Sequence, residues 1–587
     1  MCGIAGVMSV DGSPIDDILC DRLEAALRHR GPDGAGRFNR DGVALVHTRL
    51  AIVGLATGAQ PLHGSHGVTL VANGEIYNDP ELRAGMLSDG PFATASDSES
   101  ILRLYERFGP AAVDELRGMY AFAIHDAKEG CLVLSRDPFG IKQLYYAELP
   151  GMFAFASEPG ALVDAGLVAG VCEKKAVGEL LQLQFTTGAD TIFHGIKRLL
   201  PGETIIVRNG RIAETRWRPA FPPGGPTPRK ETDALKELDR ILMDSVHAHQ
   251  RSDVPFGLFL SSGIDSTAIL ACMTRLNENP IRAYTASFPG TGVADEYPDA
   301  HRNAVRFGAD HVKVEVTEAD FWAELPAIAA AVDDPTADYA VVPTYLLARQ
   351  AAKDVKVVLC GEGGDELFAG YGRYRRQIRP WWLGGRPRKR KGPFSASGLL
   401  RDMSPDWRQG IAEAERASVL PGRSRLQIAR AADCVDYLPH GLLVKLDRCL
   451  MAHGLEGRTP FLDPKLAEFG FRLPDELLLG QRRGKYLLRR WLEQQAEGMD
   501  CFSRKKGFTV PVGDWISAQG ARLAPLVAVD PAVAEICDPE AVRSLYASGK
   551  KHDQQAAWRL LFFALWHRRH IRGLRPEGDV FDCLSAR

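Results

Sequence analysis

The sequence predicts two domains of different fold class, an α+β domain followed by an α/β domain. The chain has 587 residues, which is more than a single hydrophobic core usually organises. Its first part consists of short strand-like stretches separated by turns. After a segment rich in Pro and Gly, apolar strands alternate with helical stretches, which is typical of parallel strands joined by crossover helices.

Four stretches of the first part have the residue pattern of β-strands, and two have the pattern of helices. The predicted strands are Gly42–His47, Val68–Ala72, Tyr120–His125 and Cys131–Ser135, and the predicted helices are Asp16–Leu27 and Ser98–Phe108. Many short strands with few helices between them indicate antiparallel sheet. We therefore expect residues 1–218 to form an α+β domain.

The segment AFPPGGPTPRKET, at residues 220–232, has the Pro and Gly density of a linker. We expect the linker to span residues 219–232 and the second domain to span residues 233–587. Strands are predicted at Val254–Leu260, Arg282–Phe288, His311–Val316 and Val355–Leu359, with a helix at Asp265–Leu276. The rest of the chain looks mainly helical, so the parallel sheet carries added helices.

Composition excludes several classes of protein. The formal net charge is −2, so no overall field favours nucleic acid or an anionic membrane. No apolar run approaches the ~18 residues of a membrane span, and the first residues lack the pattern of a signal peptide. The 11 cysteines form no metal-binding pattern. We expect a cytoplasmic enzyme without nucleic-acid or membrane partners, and a solvated loop at the basic run Arg386–Lys391.

Cys2 directly follows the initiator Met1. Removal of Met1 would leave Cys2 with a free α-amino group of pKa ~8 beside its thiol. That amine can take the thiol proton, so one residue supplies both the nucleophile and the base. Taken alone, however, Cys2 could be an ordinary second residue.

Several motifs follow Cys2 within the first domain. They are HRGPD at 29–33, HTRLAIV at 47–53, NGEIYN at 73–78 and Ser96-Asp97. Together with Cys2 they resemble the glutaminase domain of class II glutamine amidotransferases, which has the N-terminal nucleophile fold. The resemblance covers residues 1–218 and implies antiparallel sheet layers with helices.

This resemblance assigns a role in glutamine hydrolysis to each motif. Arg49 would form paired hydrogen bonds with the α-carboxylate of glutamine, and Asp97 and Glu75 would hold the α-ammonium. The side-chain amide of Asn73 and the backbone N–H of Gly74 would stabilise the oxyanion. The glutamine-binding set implied by the resemblance comprises Arg49, Ile52, Val53, Asn73, Glu75 and Asp97.

A loop of small residues, Ser261-Ser262-Gly263-Ile264-Asp265-Ser266, follows the apolar strand of the second domain and opens a helix. Small residues allow backbone N–H groups to approach a phosphate, and the start of a helix adds positive potential. No Gly-Lys-Ser/Thr follows, so the loop is not a Walker motif. It resembles the pyrophosphate loop of adenylating enzymes, with Ser262 in place of the usual first Gly.

A second loop, Gly361-Glu362-Gly363-Gly364-Asp365, follows another apolar strand. Ligands of α/β sheets bind at the carboxyl ends of the strands, so we expect the two loops to face one nucleotide. Asp265 and Asp365 are candidate ligands for Mg²⁺, which prefers oxygen donors.

Further motifs lie downstream: KLDR at 445–448, MAHGLEGRTPFLD at 451–463, GKYLLR at 484–489 and KKGFTVP at 505–511. With the two loops, they resemble the synthetase domain of glutamine-hydrolysing asparagine synthetases. The resemblance implies that Glu362 assists the attack of ammonia on an acyl-adenylate and that Lys485 stabilises charge on the phosphates. It also implies ATP contacts from Phe259, Leu260, Ser261, Ser262, Gly263, Asp265, Ser266, Ala286, Cys360 and Gly361.

The sequence therefore predicts a glutamine-dependent asparagine synthetase. Cys2, Asn73, Gly74, Glu362 and Lys485 are its catalytic residues, ATP and Mg²⁺ are its cofactors, and glutamine, ATP and aspartate are its small-molecule substrates. The resemblance implies an internal path for ammonia, and a homodimer is one option for the assembly.

Three alternatives stay open. A sister ligase would amidate another carboxylate, on a peptide, a saccharide or a specialised metabolite, and the resemblance implies that the segment 333–339 takes part in selecting the acceptor. A sugar amidotransferase would share the first domain but would not need the loop at 261–266. A non-catalytic protein with the same fold would not need Cys2, Glu362 or Asp365.

Overall fold

The computed structural model describes residues 2–386, 391–394, 398–401, 406–480, 483–503 and 510–586. The first domain has the antiparallel architecture that the sequence predicts. Its strands are β1 (Cys2–Ser9), β2 (Gly34–Arg40), β3 (Val43–Arg49), β4 (Leu62–His63), β5 (Val68–Ile76), β6 (Gly118–Asp126), β7 (Cys131–Arg136), β8 (Tyr145–Leu149), β9 (Met152–Ala156), β10 (Lys197–Arg198), β11 (Glu203–Arg208) and β12 (Arg211–Trp217).

These strands form two six-stranded sheets, with orders β10-β8-β9-β1-β3-β2 and β12-β11-β7-β6-β5-β4. The inner faces of the sheets share a buried core that includes Ile4, Leu45, Val71, Ala123 and Phe155. The helices of this domain are α1 (Asp17–Leu27), α2 (Asp79–Ala84), α3 (Ser98–Phe108), α4 (Pro159–Asp164) and α5 (Lys174–Leu183). Helix α1 covers the outer face of the first sheet and α3 covers that of the second.

The second domain contains a parallel sheet of five strands. They are β13 (Phe256–Phe259), β14 (Arg282–Ser287), β15 (Asp310–Glu315), β16 (Val357–Leu359) and β17 (Glu456–Arg458), in the order β15-β14-β13-β16-β17. The α/β prediction is therefore confirmed. The strand β17 was not predicted, because its three residues lie inside a motif that carries no alternating pattern.

Helices surround this sheet and form the rest of the domain. They are α6 (Glu231–His249), α7 (Ile264–Leu276), α8 (Tyr297–Arg306), α9 (Glu318–Ala331), α10 (Val341–Ala351), α11 (Gly364–Leu367), α12 (Tyr374–Gln377), α13 (Gln409–Ala417), α14 (Arg425–Ala432), α15 (Leu443–Met451), α16 (Pro464–Arg472), α17 (Asp475–Leu478), α18 (Tyr486–Gln495), α19 (Val512–Ala518), α20 (Gly520–Ala528), α21 (Pro531–Ile536), α22 (Pro539–Ala547), α23 (Gln554–His570) and α24 (Val580–Ser585). A π-helical segment, Asp433–Leu442, joins α14 to α15.

The connection between the domains differs slightly from the prediction. Helix α6 begins at Glu231, so the last two residues of the predicted linker are helical, because the acidic first turn of Glu231 and Asp233 favours a helix start. The connection is also packed onto the second domain: the ring of Phe221 stacks on Phe471 at 4.0 Å between centroids. None of the helices in the described chain has the length and apolar composition that crossing a bilayer requires.

Candidate functional site

Cys2 lies at the start of β1, paired with Arg49 of β3 in the first sheet. Its backbone nitrogen donates to Asn73 Oδ1, at 3.0 Å. Asn73 belongs to β5 of the second sheet, so Cys2 lies where the start of β1 meets β5 of the other sheet. The side chain of Cys2 is buried, and burial raises the pKa of its thiol, so the thiol needs a local base before it can act as a nucleophile.

Asn73 is oriented for a second contact. Because its Oδ1 accepts from Cys2, its Nδ2 amide points elsewhere, and this buried Nδ2 has no partner among the described residues. A buried donor without a partner is costly unless a ligand completes it. Beside it, a Cβ on Gly74 would lie 2.2 Å from the carbonyl oxygen of Met119, so only glycine fits this strand position.

A cleft opens beside the Cys2 thiol, with a volume of about 30 Å³. In this conformation it has room for about one water molecule. The guanidinium of Arg49 donates to the backbone carbonyls of Gly54, at 2.8 Å, and Leu55, at 3.1 Å. The cleft unites most of the predicted glutamine-site residues, and its lining includes Cys2, Arg49, Ile52, Val53, Gly74, Glu75, Ser96, Asp97 and Glu456.

Two buried carboxyl groups stand at the far side of this cleft. Asp97 Oδ2 accepts from the backbone nitrogen of Ile76 at 2.6 Å, and burial raises the pKa of Asp97 to about 6. Burial and the neighbouring Asp97 raise the pKa of Glu75 as well. Two neighbouring carboxyl groups attract a cation. The α-ammonium group of an amino acid is such a cation.

The sequence analysis missed the partner of Glu75. Arg458 of β17 places its Nη2 3.2 Å from Glu75 Oε2 and its Nε 2.6 Å from Glu456 Oε1. Its carbonyl oxygen accepts from the backbone nitrogen of Cys360, at 2.8 Å, just before Glu362. The motif at 451–463 contains Arg458, but its spacing did not indicate that the residue reaches the other domain.

The predicted nucleotide loop lies between β13 and α7. Phe259 ends β13, Leu260 follows, and Gly263 precedes the first turn of α7. The hydroxyls of Ser261 and Ser266 lie 3.0 Å apart, and Ser266 Oγ accepts from the backbone nitrogen of Ser261 at 3.1 Å. These hydroxyls therefore shape the loop.

An open pocket of about 390 Å³ adjoins this loop. Its lining includes Ser262, Gly263, Ile264, Asp265, Asn303, Arg302, Arg306, Lys485 and Arg489. The other predicted ATP residues lie at neighbouring strand ends: Ala286 near the end of β14, and Cys360 and Gly361 directly after β16. Three adjacent strands of one parallel sheet thus supply the predicted ATP residues.

Lys485 connects the two predicted metal ligands. Its Nζ lies 2.6 Å from Asp365 Oδ1 and also forms an ion pair with Asp265. Burial opposes the charge of Lys485, but the two carboxylates outweigh it and raise the pKa of the ammonium. Its backbone nitrogen donates to the carbonyl oxygen of Phe368 at 2.8 Å, so Lys485 is a buried residue of the site.

These residues fit a Mg²⁺–triphosphate ligand. No group of three or more His, Cys, Asp or Glu side chains in the described chain could hold a metal ion by itself. Mg²⁺ is usually bound through one or two carboxylates together with substrate phosphates. Asp265 and Asp365 match that arrangement, with Lys485 between them.

Glu362 follows β16 within the second loop. Burial raises the pKa of its carboxyl, and the ammonium of Lys445 lowers it in part. Lys445 belongs to α15, and its Nζ lies 3.3 Å from Asp338 Oδ2. Asp338 belongs to the segment 333–339, where acceptor selection is predicted. The sequence placed Lys445 only in the motif KLDR at 445–448 and indicated no role for it, although a lysine among apolar helix residues could have indicated a buried charge.

A buried ion-pair network joins the domains behind both sites. Arg30 donates from Nε to the carbonyl oxygen of Cys2 at 3.2 Å, and from Nη1 to Glu158 and to Asp447 of α15, both at 2.7 Å. Arg448, next on α15, donates to Asp333 at 2.6 Å.

Of the motif KKGFTVP at 505–511, the residues 505–509 lie outside the described residues, as do residues 387–390 of the basic run.

Comparison with known proteins identifies a family model for each half of the chain. The model of the asparagine synthase family matches residues 237–568, and that of the glutamine amidotransferase domain matches residues 1–218.

Three relatives illustrate the similarity. Asparagine synthetase [glutamine-hydrolyzing] 1 of Bacillus subtilis (strain 168) is 30% identical, over 97% of each chain. Asparagine synthetase B [glutamine-hydrolyzing] of Escherichia coli (strain K12) is 28% identical, over 88% of this chain and 83% of its own. Amidase chyE of Penicillium rubens is 30% identical, over 64% of this chain and 60% of its own. The chain therefore belongs to the asparagine synthase family and is a carbon–nitrogen ligase with an amino-terminal glutamine amidotransferase domain.

Proposed function

We propose that this enzyme is a glutamine-dependent asparagine synthetase: it hydrolyses glutamine at Cys2, adenylates aspartate with ATP and Mg²⁺, and transfers the ammonia to give asparagine, AMP and pyrophosphate. The observation that carries the proposal is the contact of Arg30 with both halves. Arg30 binds the Cys2 carbonyl and Asp447 of α15, and α15 also carries Lys445, whose charge acts on Glu362.

In the first half-reaction, the Cys2 thiolate attacks the side-chain amide of glutamine. The α-amine of Cys2, free after removal of Met1, takes the thiol proton and returns it to the leaving ammonia. Water then hydrolyses the γ-glutamyl thioester on Cys2, which releases glutamate and restores the thiol. Asn73 Nδ2 and the backbone N–H of Gly74 stabilise the oxyanion. Arg49 binds the α-carboxylate, Asp97 and Glu75 bind the α-ammonium, and Ile52 and Val53 line the cleft.

In the second half-reaction, an acceptor carboxylate oxygen attacks the α-phosphorus of ATP, and pyrophosphate leaves. Asp265 and Asp365 would hold Mg²⁺, which supplies charge neutralisation on the phosphate oxygens. Lys485 lies between these carboxylates and offsets the charge that develops on the phosphates. Backbone groups of the loop 261–263 and of Cys360–Gly361 surround the nucleotide, with Phe259, Leu260, Ser266 and Ala286 behind them.

Ammonia then attacks the acyl-adenylate. The nitrogen loses a proton as the C–N bond forms and AMP leaves, and Glu362 takes that proton. Its raised pKa suits a group that must bind a proton near neutral pH. Ammonia reaches Glu362 between the domains, where the buried interface keeps it from protonation by bulk water.

We further propose that the domains span residues 1–218 and 233–587, with the connection at 219–232, and that the enzyme acts in the cytoplasm, with a homodimer as its candidate assembly.

One experiment tests the acceptor: incubate the enzyme with glutamine, ATP and Mg²⁺, supply carboxylates one at a time, and measure pyrophosphate release. Aspartate-dependent release with formation of asparagine supports the proposal. If pyrophosphate is released only with a different carboxylate, that carboxylate and not aspartate is the acceptor.

A second candidate function is a ligase that amidates another carboxylate. It is supported by the similarity to amidase chyE, a relative whose name is not that of an asparagine synthetase. The same screen separates the two candidates, because both require Cys2 and the ATP site but differ in the carboxylate that triggers pyrophosphate release.

A further inference from the structure

The most basic segment of the chain directly follows the second loop of the candidate synthetase site. Residues 372–391 contain nine Lys and Arg side chains and no Asp or Glu, in a protein of formal net charge −2. The structure describes this segment as far as Arg386. Residues 373–386 are named the basic loop here.

Backbone hydrogen bonds give the basic loop a defined shape. The nitrogens of Leu383 and Gly385 both donate to the Pro380 carbonyl oxygen, each at 3.0 Å, and the Arg386 nitrogen donates to the Arg376 carbonyl oxygen at 3.2 Å. The loop thus turns back on itself, with arginines at its base. Trp382 and Leu383 form its tip, and they are 67% and 61% exposed.

The arginines of this surface lack acidic partners. On and beside the basic loop, six arginines form no ion pair with any residue that the structure describes, in contrast to Arg373, which pairs with Asp433. They are Arg375, Arg376, Arg379 and Arg386 of the basic loop, with the neighbouring Arg425 and Arg483. Partial burial and the charges of Arg483 and Arg379 lower the pKa of Arg375, so this surface concentrates unneutralised positive charge.

We propose that the basic loop docks this protein on an anionic membrane surface. Arginines beside exposed Trp and Leu side chains match the interface of a phospholipid layer, where the apolar groups enter the boundary and the guanidinium groups bind lipid phosphates. A soluble polyanion would engage the arginines but would leave Trp382 and Leu383 without a role. The expectation of no membrane partner rested on overall charge and on the lack of a long apolar run, and neither reveals this local concentration of charge.

Docking would orient the molecule in a specific way. The basic loop begins beside Gly370, where a Cβ atom would lie 2.2 Å from Lys485 Cε. A Cβ on Gly484 would lie 2.3 Å from the carbonyl oxygen of Ala369, and the charge of the neighbouring Arg483 acts on Arg375 of the basic loop, so Arg483 belongs to the same surface. The candidate synthetase site would therefore face the membrane. The proposed function does not include or require this orientation.

Co-sedimentation of the full chain with vesicles tests the proposal. We expect binding to phosphatidylcholine vesicles that contain phosphatidylglycerol, weaker binding at high salt, and no binding to phosphatidylcholine alone. Because each basic residue near the surface contributes about fivefold, the triple variant Arg375→Ala/Arg376→Ala/Arg379→Ala should weaken binding roughly a hundredfold. Trp382→Ala/Leu383→Ala should weaken it as well.

A matched control changes the same residue types on another face. Arg211, Arg216 and the 57% exposed Trp217 lie on β12, and replacing all three with Ala should leave vesicle binding unchanged. Absence of wild-type binding at low salt, or equal losses in the control, would overturn the proposal. Binding of soluble heparin without any effect of Trp382→Ala/Leu383→Ala on vesicle binding would also overturn it. The assay uses neither glutamine nor ATP, so its outcome is independent of the proposed activity.

Discussion

At the scale of single residues, the proposed role of Cys2 belongs to only one of the two half-reactions. Its thiol lies in the cleft with Arg49 and Asp97, in the other domain from the candidate ATP pocket at the loop 261–266. We expect Cys2→Ala to abolish glutamine hydrolysis while synthesis from added ammonium salts continues near the parent rate. Glutamate release and amide formation are the measurements, and Cys172→Ala, at a partly buried free cysteine, is the control. Glutamine hydrolysis by Cys2→Ala would contradict the assignment of the nucleophile.

Glu362 allows the chemical role of one carboxylate to be separated from binding. The variant Glu362→Gln keeps the size of the side chain but removes its charge and basicity. Loss of a general base costs ~10²–10⁴-fold in rate, so amide formation should fall in that range while ATP binding and glutaminase activity persist. Pulse-chase trapping of the acyl-adenylate would locate the block. The exposed Glu497→Gln should behave as wild type, and a Glu362→Gln enzyme at the parent rate would make this residue structural.

At the scale of elements, the connection between α11 and α12 requires glycine where it packs against the start of α18. A Cβ on Gly370 would lie 1.8 Å from Asp365 Oδ1 and 2.2 Å from Lys485 Cε, whereas a Cβ on Gly372 meets no atom within 4 Å. Misplacing catalytic groups by ~1 Å can cost about a hundredfold. We therefore expect Gly370→Ala to lower amide synthesis by roughly that factor without loss of glutaminase activity. Gly372→Ala is the control, and equal effects of both changes would contradict the steric explanation.

At the scale of the whole molecule, buried ion pairs hold the domains together. Burial opposes the charge of Asp447, but Arg30 and Arg448 outweigh it and lower the pKa of its carboxyl to about 2. A carboxyl whose pKa is lowered by folding stabilises the protein above its unfolded pKa of ~3.9 and loses that contribution as the pH falls through its folded pKa. The contribution, ~2–3 kcal/mol, should therefore disappear between about pH 4 and pH 2.

The variant Asp447→Asn tests this contribution by leaving two buried arginines without their shared partner. Such a loss typically destabilises a protein by ~3–5 kcal/mol, and urea unfolding at neutral pH should show a decrease of that order. Below about pH 4, the stability of the variant should fall less steeply than that of wild type. The exposed pair of Asp538 with Arg401 provides the control, since Asp538→Asn should change stability little. A variant as stable as wild type would contradict the role of the network.

The part of the fold that the sequence predicted depends on local patterns. The helix Ser98–Phe108 was predicted with the bounds it has, because its apolar periodicity lies within its own residues. In the second domain the strands were mostly predicted too long, as at Val254–Leu260 for the observed Phe256–Phe259, because the apolar run extends past the paired residues. In the first domain they were predicted too short at one or both ends, as at Val68–Ile76, because Asn73, Gly74 and Glu75 interrupt the apolar pattern. Those three residues continue the strand because β6 pairs with them.

By itself, the sequence determined the two fold classes and predicted the chemistry that each domain offers: a nucleophile at Cys2, a phosphate-binding loop at 261–266 and acidic residues beside it. Only the tertiary structure decided how these groups are paired. Arg458 reaches Glu75 across 383 residues of sequence, and Arg30 reaches Asp447 across 417. Such pairs leave no local pattern, because their partners are chosen by the packing of one domain on the other. The physical reason is burial: a charged side chain enclosed between two domains is costly unless an opposite charge lies beside it, and the surface of the other domain supplies that charge.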